Sequence, residues 1–250
     1  MSLLYDIISC PNIKHCLDTN DENHPCAKII ANQKANNPDN FRVPEPWSGN
    51  LEDAPILFLC PSPVYVENEE YPTYSWPDYI IGDFFINRFG GGLKLWVKNQ
   101  LRPLLKDGTH RGEWVRYWAE VRKRTIELLE RREIKAGIDY AIYPLIHCKT
   151  REVSGNNETL EECFNRYFLG MLDISNAKVI VCLGKDIGSK VRMALGIPKD
   201  INPYGPFQIG KCKRYIVCLQ HPNARRVPHS LKKLILQEEL LELRAFLKDS

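Results

Sequence analysis

Long hydrophobic runs are missing from this sequence of 250 residues. Its longest apolar stretches, such as "PILFLC" and "AIYPLI", are much shorter than the roughly 18 residues that a membrane-spanning helix needs. The N-terminal segment has no basic region before its short apolar stretch and soon becomes polar, which is not typical of a signal peptide. We therefore expect a globular cytoplasmic protein with no membrane partner, and a charged fraction of 26% fits that class.

Acidic residues are absent between Asp200 and Glu238. Seven basic residues fall in the same stretch: Lys211, Lys213, Arg214, Arg225, Arg226, Lys232 and Lys233. A stretch with charge of one sign is typical of a surface that binds phosphates. A solvated basic face, balanced by acidic residues elsewhere in the fold, explains the same pattern equally well.

Several common catalytic and metal-binding motifs are also absent. The sequence has no metalloprotease helix, no serine nucleophile elbow and no zinc-finger spacing. The segment "GKDIGSK" at 184–190 departs from a phosphate-binding P-loop, because its glycines are too close together and Ser189 precedes Lys190. We predict a tight turn from a strand into a helix there, and no nucleotide cofactor.

The sequence contains nine cysteines. An odd number without an export signal argues against a disulfide framework. Cys182 and Cys218 lie in apolar runs, so we expect them to be buried as small hydrophobic residues. The cysteines in or beside polar sequence are candidate metal ligands: Cys10, Cys16, Cys26, Cys148 and Cys163.

Four apolar runs rich in β-branched and aromatic residues occur at 55–60, 140–146, 178–183 and 214–220. Because they are apolar almost throughout, they predict strands that are covered on both faces, as in a parallel sheet. Helical patterns separate or follow them, at 93–105, 112–135, 158–172, after Gly184 and at 230–248. The alternation predicts an α/β fold, a three-layer α/β/α sandwich with a central, mainly parallel four-stranded sheet.

We expect one domain over residues 1–250, with residues 1–50 forming a cysteine-containing arm packed on it, and a monomer. Ligands of such sheets bind at the carboxyl ends of the strands. The last predicted strand ends in the segment "HPNARRVPH", which begins with His221. The 64–92 connection is long and rich in aromatic residues, and loops of that length are usually functional.

Five segments of the sequence form an ordered set of short motifs. They are "RVPEPWSGNLEDAPILFLCPSP", "NRFGGGLKLWVKNQL", "YPLIHCKTREVSGNNETLEEC", "KVIVCLGKDIG" and "LQHPNARR". Together they resemble the motifs of the uracil-DNA glycosylase superfamily, most closely its branch that carries an iron–sulfur cluster. The similarity extends from about Arg42 to the C-terminus.

The resemblance implies a monofunctional DNA glycosylase of base-excision repair. Such an enzyme flips a damaged or deaminated base, uracil or a related one, out of the DNA and hydrolyses its N-glycosidic bond. His221 would donate a hydrogen bond to the departing base, whose negative charge grows as the bond breaks. Ser62 and Glu67 would position or activate the water, and Phe89 would stack on the base.

The remaining implied roles concern the pocket and the DNA. Pro63 and Tyr65 would complete the base-binding pocket. The residues that would contact DNA are Asn223, Arg225, Arg226 and Lys232, of which Asn223 and Arg225 belong to a wedge that enters the minor groove.

Two departures from the family pattern keep other functions open. The first motif, "CPSPVY", offers Ser62 where active members carry a polar or acidic residue for water, with Glu69 and Glu70 as alternatives to Glu67. Pro144 stands where much of the superfamily has a base-reading asparagine. The protein could therefore recognise another base, or bind nucleic acid without cutting it. A third possibility is an α/β protein that acts on small nucleotides or nucleosides.

The resemblance also implies a [4Fe–4S] cluster. Cys148 and Cys163 align with two of the family's ligands, and Cys10 and Cys16 would supply the other pair, with Cys26 as the alternative. The competing interpretation is that Cys163, on the apolar face of a helix, belongs to the hydrophobic core.

Overall fold

The computed structural model describes residues 2–33, 38–150 and 157–249. Its strands are β1 (Ile56–Cys60), β2 (Val97–Lys98), β3 (Arg102–Pro103), β4 (Tyr140–Pro144), β5 (Val179–Leu183), β6 (Tyr204–Ile209) and β7 (Cys212–Leu219). Five of them form one sheet in the order β4-β1-β5-β7-β6, while β2 and β3 form a separate antiparallel ribbon. The predicted α/β class with a mainly parallel central sheet is confirmed.

The four predicted strands are the parallel ones. Strand β1 pairs with β4 and β5, and β5 pairs with β7, all in parallel. Every residue of β1, β4 and β5 is buried, because the sheet is covered on both faces, as the apolar runs indicated.

The fifth strand was not predicted. Strand β6 pairs antiparallel with β7 at the edge of the sheet, and most of its residues are exposed or half-buried. It contains Gly205 and Pro206, which are unfavourable in central strands, and proline is tolerated at a sheet edge. Its sequence therefore lacks the apolar pattern that marks the other four.

The helices are α1 (Leu3–Ile8), α2 (Pro11–Thr19), α3 (Ala27–Ala31), α4 (Asp78–Ile86), α5 (Arg116–Leu129), α6 (Asn157–Ile174), α7 (Lys185–Leu195), α8 (Leu231–Leu234) and α9 (Gln237–Lys248). Helix α7 packs on β5 and β7, α5 packs on α9, and α1 packs on α6. No helix within the described ranges combines the length and the apolar character required to cross a bilayer.

The helix predicted for 93–105 is wrong. Strands β2 and β3 occupy this segment, and between them Asn99 and Gln100 have φ values of 54° and 61°. This left-handed conformation forms a tight turn that a continuous helix does not allow. The segment 112–135 becomes helical only at Arg116, and the C-terminal helix is divided into α8 and α9 by extended backbone at Ile235 and Leu236.

The N-terminal arm packs through apolar side chains. Helix α1 buries Leu3, Leu4, Ile7 and Ile8, and Leu3 lies against Gly170 of α6. Helices α2 and α3 contribute to a second apolar cluster that includes Cys16, Cys26 and Cys148. The arm therefore packs against the rest of the domain through buried apolar side chains.

Candidate functional site

A cavity of about 670 Å³ lies at the carboxyl-terminal edge of the sheet. Its lining includes Ser62 and Pro63 after β1, Gly184 after β5, and His221 and Asn223 after β7. Cavities of this size hold small-molecule groups, and the position is the one expected for ligand binding in an open α/β sheet.

His221 is half-buried in this cavity and is held in a defined tautomer. The backbone N–H of Asn223 donates a hydrogen bond to its Nδ1 at 3.2 Å. Burial lowers the pKa of His221 below its ordinary value of 6.5, and the nearby His229 lowers it further. The ring is therefore neutral at pH 7, and because Nδ1 accepts a hydrogen bond, its proton is on Nε2.

Hydrogen bonds fix both ends of the loop that follows His221. The backbone N–H of Ala224 donates to the carbonyl oxygen of His221 at 2.8 Å, and Nε2 of His229 lies 2.9 Å from the carbonyl oxygen of Ala224. Ser230 then donates to the Glu127 carboxylate of α5 at 2.7 Å. These contacts fix the loop between β7 and α8.

The turn after β1 is tied to the segment after β4. The N–H groups of Ile146 and Thr150 donate to the carbonyl oxygens of Pro61 and Pro63, at 2.8 and 3.1 Å. The ammonium group of Lys149 donates to the carbonyl oxygen of Val64 at 3.0 Å. Hydrogen bonds from the segment that follows β4 therefore hold the part of the cavity wall that Ser62 and Pro63 form.

A buried network of charged side chains lines one part of the cavity. Glu69 forms ion pairs with Arg88 at 2.7 Å and Lys149 at 2.9 Å, and Arg88 also pairs with Glu45 at 3.0 Å. Burial alone would raise the pKa of Glu69, but the charges of Lys149 and Arg88 lower it below its ordinary value of 4.5. Glu69 is therefore an anion at neutral pH, and its two partners satisfy its charge.

An aromatic and cationic segment, 111–118, forms another wall. Its ring nearest to His221 is Tyr117, with the two ring centroids 5.9 Å apart. Trp118 is buried, whereas Trp114 lines the cavity with 64% of its surface exposed. Rings of this kind offer flat faces on which a nucleobase can stack.

The structure does not place Phe89 in the cavity. Phe89 is 5% exposed and packs against Trp118 and Tyr140, with ring centroids 5.5 and 6.3 Å apart. Trp118 lines the cavity and forms part of an aromatic wall. Phe89 packs against Trp118 on the side that faces the core. The assignment of the stacking ring to Phe89 is corrected by this geometry.

Glu67, expected to position water, and Tyr65, expected to bind the base, do not line the cavity. Glu67 is exposed, and Glu69, two positions later, is the carboxylate that reaches the cavity. The ring of Tyr65 lies under the guanidinium of Arg42, 4.1 Å from the ring centroid. Glu69 is buried because its carboxylate pairs with the side chains of Arg88 and Lys149.

The expected DNA-contacting residues lie beside the cavity. Asn223 lines it, while Arg225, Arg226 and Lys232 are exposed on the loop and helix that follow. Arg226 has a φ of 61°, which turns the chain sharply at the tip of this loop. Pro144 ends β4 and offers no side-chain donor, and Ile142 and Ile146 on either side of it line the cavity.

Four of the candidate cysteines line a second, small cavity. They are Cys10, Cys26, Cys148 and Cys163. Cys16, which was expected to be a ligand, lies in the same apolar cluster as Cys26 and Cys148 but does not line this cavity. Of the two alternatives, the structure brings Cys26 to the cavity.

His147 adds an unusual polar atom to the same small cavity. Its Nδ1 lies 2.8 Å from the carbonyl oxygen of Glu45, whereas its buried Nε2 has no hydrogen-bond partner among the residues that the structure describes. Burial lowers the pKa of His147 to about 4, and burial raises the pKa of Cys26 and Cys163 to about 12. Metal binding would have to displace thiol protons here.

Within the described ranges, no group of three or more Cys, His, Asp or Glu side chains is close enough to hold one metal ion. A cubane cluster holds its four thiolates apart on separate iron atoms, so thiols around a shared cavity are compatible with it.

The charged network and the 111–118 wall were not predicted from the sequence. Glu45, Glu69, Arg88 and Lys149 come from four separate segments, and nothing local marks them as neighbours. The segment "RGEWVRYW" did carry a signal, because it interleaves arginines with three aromatic residues. No protein-family model matches this sequence, and no curated protein matches it significantly.

Proposed function

We propose that this protein is a DNA glycosylase that flips a damaged or deaminated base into the 670 Å³ cavity and hydrolyses its N-glycosidic bond. The observation that carries the proposal is the position of His221, which lines the cavity at the carboxyl edge of the sheet and whose Nδ1 accepts a hydrogen bond, so that Nε2 is left as the donor. A neutral N–H donor in a cavity suits a reaction in which negative charge grows on the ligand.

In the proposed reaction, the bond between the sugar C1′ and the base nitrogen breaks, and its electron pair moves to the base. Nε2–H of His221 stabilises the base anion through a hydrogen bond to a carbonyl oxygen. A water oxygen then bonds to C1′, and the water proton is passed on to the departing base.

The surroundings of the cavity suit a nucleic acid. Trp114 and Tyr117 provide stacking faces, and Asn223 lies on the loop that also presents Arg225 and Arg226 to solvent. Guanidinium groups beside a base pocket would bind backbone phosphates and set the register of the DNA without reading its sequence.

A non-catalytic nucleic-acid-binding protein is the second candidate, and the state of Glu69 favours it. A carboxylate that is held in two buried ion pairs and has a lowered pKa is a weak general base. Such a protein would flip and hold a base without cleaving it.

We further propose that Cys10, Cys26, Cys148 and Cys163 hold a [4Fe–4S] cluster. The four thiols around one cavity support this proposal, as does Nε2 of His147, which has no hydrogen-bond partner in the described part of the chain. When bound, the cluster would supply a structural link rather than a catalytic group, because it would connect the N-terminal arm to the segments that follow β4.

The experiment is a panel of oligonucleotides that contain uracil, hypoxanthine, xanthine or a mismatched thymine, each incubated with the protein and then cleaved at abasic sites with alkali. We expect cleavage of at least one substrate and its loss in His221→Gln. His15→Gln, on the exposed surface of α2, is the control. Salt-dependent binding without cleavage at stoichiometric protein would favour the second candidate. DNA affinity that does not grow with length would contradict both.

A further inference from the structure

Cys182 and Cys218 are direct neighbours on adjacent strands. They are paired in the register of the parallel strands β5 and β7, so their side chains point to the same face of the sheet. Neighbouring strands are about 4.8 Å apart, and disulfides span Cα separations of roughly 4.4–6.8 Å. The two thiols are therefore within reach of each other without movement of the backbone.

Arg192 contacts the sulfur of Cys218, so the two thiols have different electrostatic environments. Nε of Arg192, on α7, donates to Sγ of Cys218 at 3.2 Å. A hydrogen bond from the Cys182 thiol lowers the pKa of Cys218, burial opposes this, and the charge of Arg192 lowers it further. The same hydrogen bond raises the pKa of Cys182. The guanidinium beside its sulfur therefore favours the thiolate of Cys218 over that of Cys182.

Cys218 is the more accessible of the two cysteines. Cys182 is fully buried, as we expected from its apolar run, but Cys218 is only partly buried, contrary to that expectation. Helix α7 passes close to this sulfur at Gly188, where an added Cβ would lie 3.2 Å from Sγ of Cys218, so a larger residue would crowd it. Asn202 brackets the backbone of Cys218 with hydrogen bonds of 3.0 and 2.8 Å.

We propose that Cys218 is a peroxide-reactive thiolate and Cys182 is its resolving thiol, with Arg192 stabilising the reactive form. The Cys218 sulfur attacks a hydroperoxide oxygen, the O–O bond breaks, and a sulfenic acid and hydroxide form. The Cys182 sulfur then attacks that of Cys218, the S–O bond breaks, and the thiol proton leaves with the hydroxyl group as water. The cysteine pair is oxidised to a disulfide and the peroxide is reduced. Such reversible disulfides are typical of redox sensing in reducing compartments.

The first test is alkylation of the reduced protein by iodoacetamide at pH 7, followed by peptide mapping. Cys212, on the same strand and also partly buried, is the matched control because it is paired with Ile209 of β6 rather than with a second cysteine. We expect Cys218 to react roughly tenfold faster than Cys212, since its thiolate fraction is larger while its nucleophilicity is somewhat lower. Equal rates would overturn the proposal.

The second test is treatment with stoichiometric hydrogen peroxide. We expect a peptide pair joined through Cys182 and Cys218 that dithiothreitol releases. In Cys182→Ser, dimedone should trap a sulfenic acid at Cys218. Arg192→Lys should retain most of the reaction rate, whereas Arg192→Met should lose it at an unchanged thermal midpoint. A disulfide between other cysteines, or no loss of thiols, would refute the assignment.

Discussion

Replacing Glu69 by glutamine should destabilise the folded protein by about 3–5 kcal/mol, the usual effect of removing one partner from a buried ion pair. Glu69 is 4% exposed and holds two buried cations, Arg88 at 2.7 Å and Lys149 at 2.9 Å. Glutamine has nearly the same shape, so no cavity forms. The loss therefore comes from two buried cations that lose the carboxylate they share, while Arg88 keeps its ion pair with Glu45.

Urea denaturation followed by circular dichroism measures this loss. With a denaturant dependence of about 1–3 kcal/mol per molar urea, the midpoint should fall by at least about 1 M. Glu120→Gln is the control, because Glu120 pairs with the exposed Lys123 on the surface of α5. Surface pairs of this kind contribute roughly 0–1 kcal/mol.

The pH dependence gives an independent check on the same residue. The pKa of Glu69 is lowered on folding, so its stabilising contribution is present above the unfolded value of about 4.3 and is lost as the pH falls through the folded pKa. The glutamine variant should lack this part of the acid destabilisation. If Glu69→Gln costs no more than Glu120→Gln and shows the same acid profile, the buried network does not stabilise the fold.

Three further predictions concern the surfaces around the two cavities. Trp114→Ala should weaken binding of single-stranded oligonucleotides by about 1–3 kcal/mol, the usual value of one stacked base, at unchanged stability; fluorescence anisotropy measures this, and unchanged affinity would exclude Trp114 from the interface. Arg225→Gln and Arg226→Gln should each reduce the slope of log affinity against log salt by about 1 without changing lesion preference; an unaltered slope would show that neither side chain meets a phosphate. Cys148→Ser should abolish the brown colour of anaerobically purified protein, and Cys16→Ser should retain it; colourless wild-type protein would contradict the cluster.

The four parallel strands could be predicted from the sequence because a strand that is buried on both faces consists almost entirely of apolar residues. The runs of β1, β4, β5 and β7 are apolar almost throughout, and all four strands were found. Strand β6 was missed because an exposed edge strand with Gly205 and Pro206 carries no such mark. The 93–105 segment was misassigned because its left-handed turn depends on local backbone geometry, which apolar spacing does not reveal.

The site was predicted where it depends on strand ends and missed where it depends on tertiary contacts. Ser62, Pro63 and His221 follow buried strands directly, so the sheet brings them to one edge. Phe89 has the same chemistry as a stacking ring, and only the position of Trp118 shows that it belongs to the core. Pairing of distant charges, as in the Glu69 network, cannot be read from the spacing of residues in the sequence.

Extrusion of a base into the His221 cavity is tested most directly by 2-aminopurine placed beside uracil in a DNA duplex, because its fluorescence rises when neighbouring bases unstack. We predict a several-fold rise on binding of the wild-type protein. Ser62→Phe, which introduces a ring into the cavity, should bind the same duplex without the rise. Binding of the wild-type protein with unchanged fluorescence, or an equal rise for Ser62→Phe, would contradict the account.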